Sequence, residues 1–224
     1  MLIHRPWADL SGLRHGFLDA QDCRQAPDWA AVMDEVGVDL PLRRPRQVHG
    51  AVVLASDDLA PASEADGVVT GRRRVAVGVV TADCVPVLMR DRRGRAVAAV
   101  HAGWRGAAAG VIEAALATMT EIAGVQAADV EAVLGPAVGG CCYEVGADVR
   151  DALLARSSGA ASAFAPHRDR FLLDLRAAVT SIATASGVAS TATVGPCTMC
   201  SRDFASYRRD GAAAGRQLSF VALS

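Results

Sequence analysis

The chain has 224 residues, 51% hydrophobic and 21% charged, with a formal net charge of −1 and six cysteines. That composition excludes a disordered chain, and the near-neutral charge gives nucleic acid binding little electrostatic basis. No run reaches the ~18 apolar residues of a membrane helix, and the thiols are too sparse for a disulfide scaffold, so the expectation is a cytoplasmic protein with a single domain over residues 1–224.

The amino-terminal MLIHRPWADLSGLRHGF places His4 and His15 in a polar context and reads as lacking a signal-peptide core. RQVHGAVVLA (46–55), with Gln47 and His49, and VAVGVV (75–80) read as strands. VPVLM (85–89) and AVAAV (96–100), apolar and partly β-branched around Asp91-Arg92-Arg93-Gly94, predict an antiparallel hairpin. Centring the loop on Arg92-Arg93 sets Cys84 directly opposite His101. GAAAGVIEAALATMTEIAG (106–124) predicts one helix ending at Gly124, and VEAVL (130–134) a strand. VGADVRDALLARS (145–157) and LDLRAAVTSIATAS (173–186) predict two more helices, the second capped by Asp174. TATV (191–194) and QLSFVAL (217–223) close the series as strands. Hairpins mixed with helices indicate an α/β sandwich with mixed sheets rather than a regular βαβ winding.

Directly opposed Cβ atoms lie roughly 4.5–5.5 Å apart, and a sulfur and an imidazole nitrogen on one tetrahedral zinc stand a little under ~4 Å apart. A buried cysteine or a strand-end histidine is, taken singly, an ordinary core residue. The surroundings weigh the other way: Pro86, the glycines of HAGWRG, Asp83 and Arg105 gather at the same end of the hairpin. With His49 added, the His, Cys, His set has the ligand chemistry of a catalytic zinc site with one open position. The same donors suit copper. A metal-free reading is also open, with Cys84 as nucleophile and His101 as its base.

Other motifs are less specific. PCTMC (196–200) matches the second half of the zinc nucleobase-deaminase pattern, but no histidine is followed two residues later by glutamate, and Cys197 and Cys200 read as structural. Cys141-Cys142 in GGCCYEVG read as packed residues ahead of a helix. SYRRDGAAAGRQ (206–217) gathers Arg208, Arg209 and Arg216 among glycines, either as a solvated loop or as an anion clamp.

QVHG, DGVVT, TADCVPVLM, AVHAGWRG, GPAVGGCCYEVG, LDL, and CT followed by FASYRRDG and GRQ together resemble the YfiH-like family, also called multicopper polyphenol oxidase or laccase-domain proteins. The resemblance implies an α/β sandwich similar to the cysteine-hydrolase fold of necrotizing-factor toxins. It implies a metal, usually zinc with copper as the alternative, on His49, Cys84 and His101. It implies a purine nucleoside phosphorylase that cleaves inosine, adenosine or methylthioadenosine with phosphate, with adenosine deaminase activity besides. The catalytic group would be His49, Asp83, Cys84 and His101, with Gln47, Arg105 and Arg208 as substrate or phosphate contacts. Partners would be small molecules, a nucleoside and phosphate, with no nucleic acid and no membrane.

The amino end departs from the family pattern. Aligning on HGF (15–17) puts Ala20 where the family carries an arginine, and a glycine-rich stretch is missing; Arg24 is the nearest replacement. Three alternatives stand beside the phosphorylase: a copper-dependent polyphenol oxidase, disfavoured by a total of five histidines; a metal-free Cys/His hydrolase; and a nucleoside-binding member without turnover.

Overall fold

In chain order, the computed structural model, which describes all 224 residues, begins with the one-turn helix α1 (Arg5–Ala8), strand β1 (Leu13–Phe17) and helix α2 (Trp29–Glu35). Strands β2 (Leu42–Arg43), β3 (Val53–Ala55), β4 (Gly67–Thr70) and β5 (Val75–Thr81) follow, then the hairpin β6 (Val85–Asp91) and β7 (Val97–Ala102). Helices α3 (Trp104–Ala109) and α4 (Val111–Ala123) lead to β8 (Val130–Leu134), β9 (Glu144–Val145) and α5 (Ala147–Arg156). The chain ends with β10 (Phe164–His167), β11 (Arg170–Leu173), α6 (Leu175–Ala185), β12 (Ser190–Thr193), α7 (Tyr207–Asp210) and β13 (Gln217–Leu223). The larger sheet is ordered β12-β8-β6-β7-β4-β3, the second β1-β13-β5-β2, and β10-β11-β9 form a small third.

Strand alternation sorts the apolar side chains into layers. Val77 and Val79 of β5 and Val221 and Leu223 of β13 meet Val68, Leu88, Val97, Ala99 and Val133 of the larger sheet. Their strand neighbours Ala76, Leu218, Phe220 and Ala222 turn the other way, onto Val32 and Met33 of α2. The opposite face of the larger sheet, with Val87, Met89, Ala98, Val100 and Leu134, packs on Ile112 and Met119 of α4 and Val179 and Ile182 of α6. Each fully buried Val, Leu or Phe contributes roughly 1.5–3 kcal/mol. The product is a helix, sheet, sheet, helix sandwich of mixed α/β class, as the sequence predicts. No helix is long and apolar enough to cross a membrane.

Three elements differ from expectation. The hairpin register pairs Pro86 with His101 and Val85 with Ala102, so Cys84 is not directly opposite His101. The turn is longer than its composition suggests: Asp91 N donates to Ala96 O, the Asp91 carboxylate accepts from the Arg95 backbone N and guanidinium, and Gly94 takes φ 69. Because the slip is two residues, it keeps Cys84 and His101 on one face, as diagonal rather than opposed neighbours. Residues 47–52 form a loop between an isolated bridge of Arg46 to Glu64 and the strand pairing that begins at Val53, because the hydrogen bonds of 48–50 go to a buried carboxylate. The expected single helix over 106–124 breaks at Gly110, whose φ of 98 ends α3 and starts α4; a Cβ there would collide with the Arg156 guanidinium. Gly124 and Asp174 act as expected, the latter accepting from Ala177 N at 3.0 Å.

His15 is buried in β1 rather than lying in a polar segment: 6% exposed, edge-on to Trp7 at 5.4 Å, with Nε2 accepting the His4 N–H at 2.9 Å. Burial, and then the charge of His4, push its pKa down to about 4. In the unfolded chain the ring protonates near ~6.5. Unfolding therefore takes up a proton between those values, and stability is expected to fall as pH drops from about 6.5 toward 4. Urea unfolding at several pH values checks this: His15→Phe should flatten the wild-type slope in that window, and parallel slopes for the two proteins would contradict it.

Candidate functional site

The chain passes from one sheet to the other between β5 and β6, through Ala82, Asp83 and Cys84. Asp83 makes that crossing at φ 87, a backbone conformation uncommon outside glycine. Cys84 thus stands at the seam of the sandwich, beside His101 near the end of β7. His49 reaches them from the loop ahead of β3, itself at φ 61. The Cys84 sulfur and the imidazole nitrogens of His49 and His101 all lie within 4.8 Å of one another, and the two rings meet edge to face at 4.8 Å. Gly103 and Gly106 make room: a Cβ on Gly103 would sit 3.1 Å from the Cys84 sulfur, and one on Gly106 2.7 Å from the Gly50 carbonyl.

A single buried carboxylate organises both histidines. Asp66, fully buried, lies 2.7 Å from His101 Nδ1 through Oδ1, and the same oxygen accepts the His49 N–H at 2.9 Å. Its Oδ2 accepts from Gly50 N at 2.6 Å and Val48 N at 3.3 Å, and its backbone carbonyl accepts from His101 N at 2.7 Å. Burial opposes the charge of Asp66, but hydrogen bonds from His101 and Gly50 hold it below the usual carboxylate range. A carboxylate on Nδ1 keeps a proton on that nitrogen and leaves the Nε2 lone pair as the one available to a metal, the arrangement by which outer carboxylates orient metal-binding histidines.

Burial pushes the Cys84 thiol up, but His101 and then His49 outweigh it and bring it down to about 6. His101, also resisted by burial, is raised to about 9 by Asp66 and Cys84. The resting charges are therefore thiolate, imidazolium and carboxylate. A thiolate already formed at neutral pH is the state that both a metal ligand and a nucleophile require.

Comparison with known proteins bears on which use applies. The family described as multi-copper polyphenol oxidoreductase laccase matches residues 19–224. This chain belongs to that family. It is similar to the purine nucleoside phosphorylase YfiH of Shigella flexneri, 39% identical over 179 residues that cover 79% of this chain and 72% of that protein. It is also similar to the purine nucleoside phosphorylase PA4543 of Pseudomonas aeruginosa, 41% identical over 180 residues, with coverage of 79% and 72%. Among solved structures, Neisseria meningitidis protein NMB0706 superposes with a TM-score of 0.83 at 34% identity, covering 97% of each chain. The YfiH protein of Bacillus licheniformis gives 0.78 at 29%, covering 87% of this chain and 79% of that one.

The three donors open onto a cavity of about 900 Å3, within the size range of small-molecule sites. Gln47, Asp83, Arg105 and Arg208 all line it, in different capacities. Both ends of the Gln47 amide are bound to the Val80 backbone at 2.7 Å, so this residue ties the His49 loop to β5. Both Asp83 oxygens are also taken: Oδ1 accepts from the Thr198 hydroxyl and Oδ2 from Arg208 N, each at 2.6 Å. Asp83 is thereby a buckle between loops rather than a free acid or base. The Arg208 guanidinium donates to the Glu144 carbonyl at 2.9 Å and lies over Tyr143 at 4.8 Å. Arg105 lies over Trp104 at 4.6 Å and has no carboxylate partner.

Sequence reasoning did not assign Asp66, Trp104, Tyr143 or Arg44 to the site. Asp66 was visible in DGVVT, and Trp104 and Tyr143 are aromatics inside glycine-rich motifs, but nothing in their spacing points to a shared cavity. Ala20 and Arg24 do not line it: Ala20 N donates to Asp203 O at 2.8 Å, and Arg24 is paired with Glu35. Arg44 does line it, lies over Trp29 at 5.4 Å and has no carboxylate partner.

Proposed function

We propose that this chain is a metal-dependent purine nucleoside phosphorylase acting on inosine, adenosine and methylthioadenosine. The observation that carries this reading is the pairing, in one cavity, of a His, Cys, His donor set braced by Asp66 with arginines that have no carboxylate partner. Relatives named purine nucleoside phosphorylase, at about 40% identity, support it.

The donor set fits a single ion. Three ligand atoms within 4.8 Å of one another come close to the spacing of ~4 Å on a tetrahedral centre, within the reach of small side-chain adjustment. His49, Cys84 and His101 would hold it, zinc being the first assignment and copper the alternative. When bound, the ion supplies a Lewis acid at the cavity floor. Trp104 and Tyr143 offer aromatic faces to a purine. Arg44 and Arg105 offer guanidinium groups to phosphate. In the reaction a phosphate oxygen forms the new bond to the ribose anomeric carbon, the bond from that carbon to the purine nitrogen breaks, and its electron pair leaves with the base. The base takes up a proton. Tyr143, lifted to about 12 by burial first and then by the charge of Cys84, enters the site as a phenol with its proton in place.

Phenol oxidation through several coppers fits less well. His4 and His15 lie together by Trp7, and His167 lies 3.6 Å from Glu144, so two histidines reach the cavity. With Cys84, these make a set for one ion.

Chromatography of base release from inosine and adenosine tests the proposal. Release that requires phosphate supports it, and intact nucleosides with metal and phosphate present would remove it; inosine appearing from adenosine would report deamination in the same run. A charge-assisted hydrogen bond is worth roughly 1.5–3 kcal/mol. Arg105→Ala and Arg44→Ala are therefore each expected to raise the phosphate KM by about 10-fold or more, with a smaller change for nucleoside. Unchanged phosphate KM in both variants would contradict their role.

A further inference from the structure

Four of the six cysteines meet outside the cavity. Cys141 and Cys142 lie in the turn between β8 and β9, and Cys197 and Cys200 lie in the turn after β12. Backbone contacts join the two turns: Ala137 bridges to Cys197, and Thr198 N donates to Ala137 O at 3.0 Å. The four sulfurs all lie within 4.8 Å of one another, with separations of 3.3 Å for Cys142 and Cys200 and 3.6 Å for Cys141 with Cys142 and with Cys200. No pair is bonded. Four thiolates on one tetrahedral zinc, with bonds of about 2.3 Å, stand roughly 3.8 Å apart, so the observed spacing lies close to that of a loaded site. A backbone N–H is already aimed at one sulfur, from Gly139 to Cys197 Sγ at 3.1 Å, a contact that favours the thiolate.

We propose that Cys141, Cys142, Cys197 and Cys200 form a second metal site, a tetrathiolate that takes zinc in a closed coordination. The set contains no imidazole, carboxylate or open position, so its role is structural rather than catalytic. Its placement gives that role a consequence. Thr198, between two of the ligands, holds Asp83 at 2.6 Å, and the Arg209 guanidinium donates to the Thr198 carbonyl at 2.9 Å. On the other loop, Tyr143 and Glu144 follow Cys142 directly, and both contact Arg208. Zinc on the four sulfurs would clamp the turn that supplies Val138 and Tyr143 to the cavity against the segment that leads to Tyr207 and Arg208, and it would be distinct from an ion on His49, Cys84 and His101.

Metal analysis of the purified full-length chain tests this. Wild type is expected to carry two zinc ions per chain, and both Cys84→Ala and the double variant Cys197→Ser/Cys200→Ser one. Cobalt substitution separates the sites even if the double variant folds poorly. Cys84→Ala, with the cavity site disabled, should retain the strong thiolate-to-cobalt charge transfer and visible bands of a tetrahedral tetrathiolate ion. A Cys84→Ala protein that binds neither zinc nor cobalt would overturn the proposal. So would a freshly purified chain whose intact mass and thiol titration show these cysteines paired as disulfides.

Discussion

Cys84→Ala is expected to lower base release from inosine by about 10²–10³-fold or more, the scale of losing one major electrostatic contact in a transition state, and to remove one metal ion per chain. The sulfur is the one thiolate in a set whose atoms lie within 4.8 Å, and two imidazoles alone hold a divalent ion weakly against solvent. The fold should survive: His101 keeps its 2.7 Å contact to Asp66, and the surrounding strands pair through backbone groups. Metal content and single-turnover rate, measured on a variant with an unchanged unfolding midpoint, check this. Wild-type turnover in the variant would assign the chemistry elsewhere.

Asp66→Asn is expected to weaken metal binding at the cavity by roughly 10–100-fold, the usual cost of disturbing an outer partner of a metal-binding histidine. The substitution preserves shape and, with its NH2 turned to His101, still offers an oxygen to the N–H groups of Val48 and Gly50, while the His49 N–H, which shares its carboxylate oxygen with His101, loses its acceptor. Facing His101, however, its NH2 can donate to Nδ1, which moves the ring proton to Nε2 and blocks the nitrogen that faces Cys84. Asp66 is thus a positioning residue acting through His101. Competition against a chelating dye separates this from general destabilisation: affinity should fall while the unfolding midpoint moves less than in Asp66→Ala, which leaves three backbone N–H groups without their acceptor. Wild-type affinity in Asp66→Asn would show that the carboxylate does not orient the ligand.

The legible and illegible parts of this chain divide along physical lines. Cys84 and His101 were readable as neighbours because two apolar runs around a charged turn define a hairpin, and a register error of two residues leaves both on one face. His49 is legible as a third donor, but the strand composition of AVVL hides its loop, in which Asp66 captures the N–H groups that pairing would need. Asp66 itself carries no local signal: its partners lie 16 to 35 residues away in the chain. The break at Gly110 is hidden in 106–124 because the apolar spacing continues on both sides of it. Two-residue strands such as β2 and β9 are too short to show periodicity. The cysteine quartet is illegible for a similar reason: Cys141-Cys142 and Cys197-x-x-Cys200 are brought together by the parallel pairing of β8 and β12, a tertiary event.

The most direct measurement compares apo and zinc-loaded protein, wild type and Cys84→Ala, for the products formed from inosine and phosphate. Hypoxanthine and ribose 1-phosphate should appear one for one in zinc-loaded wild type and fall to background in the other three samples. Equal release with and without the metal, or undiminished release from Cys84→Ala, would contradict a phosphorylase built on His49, Cys84 and His101.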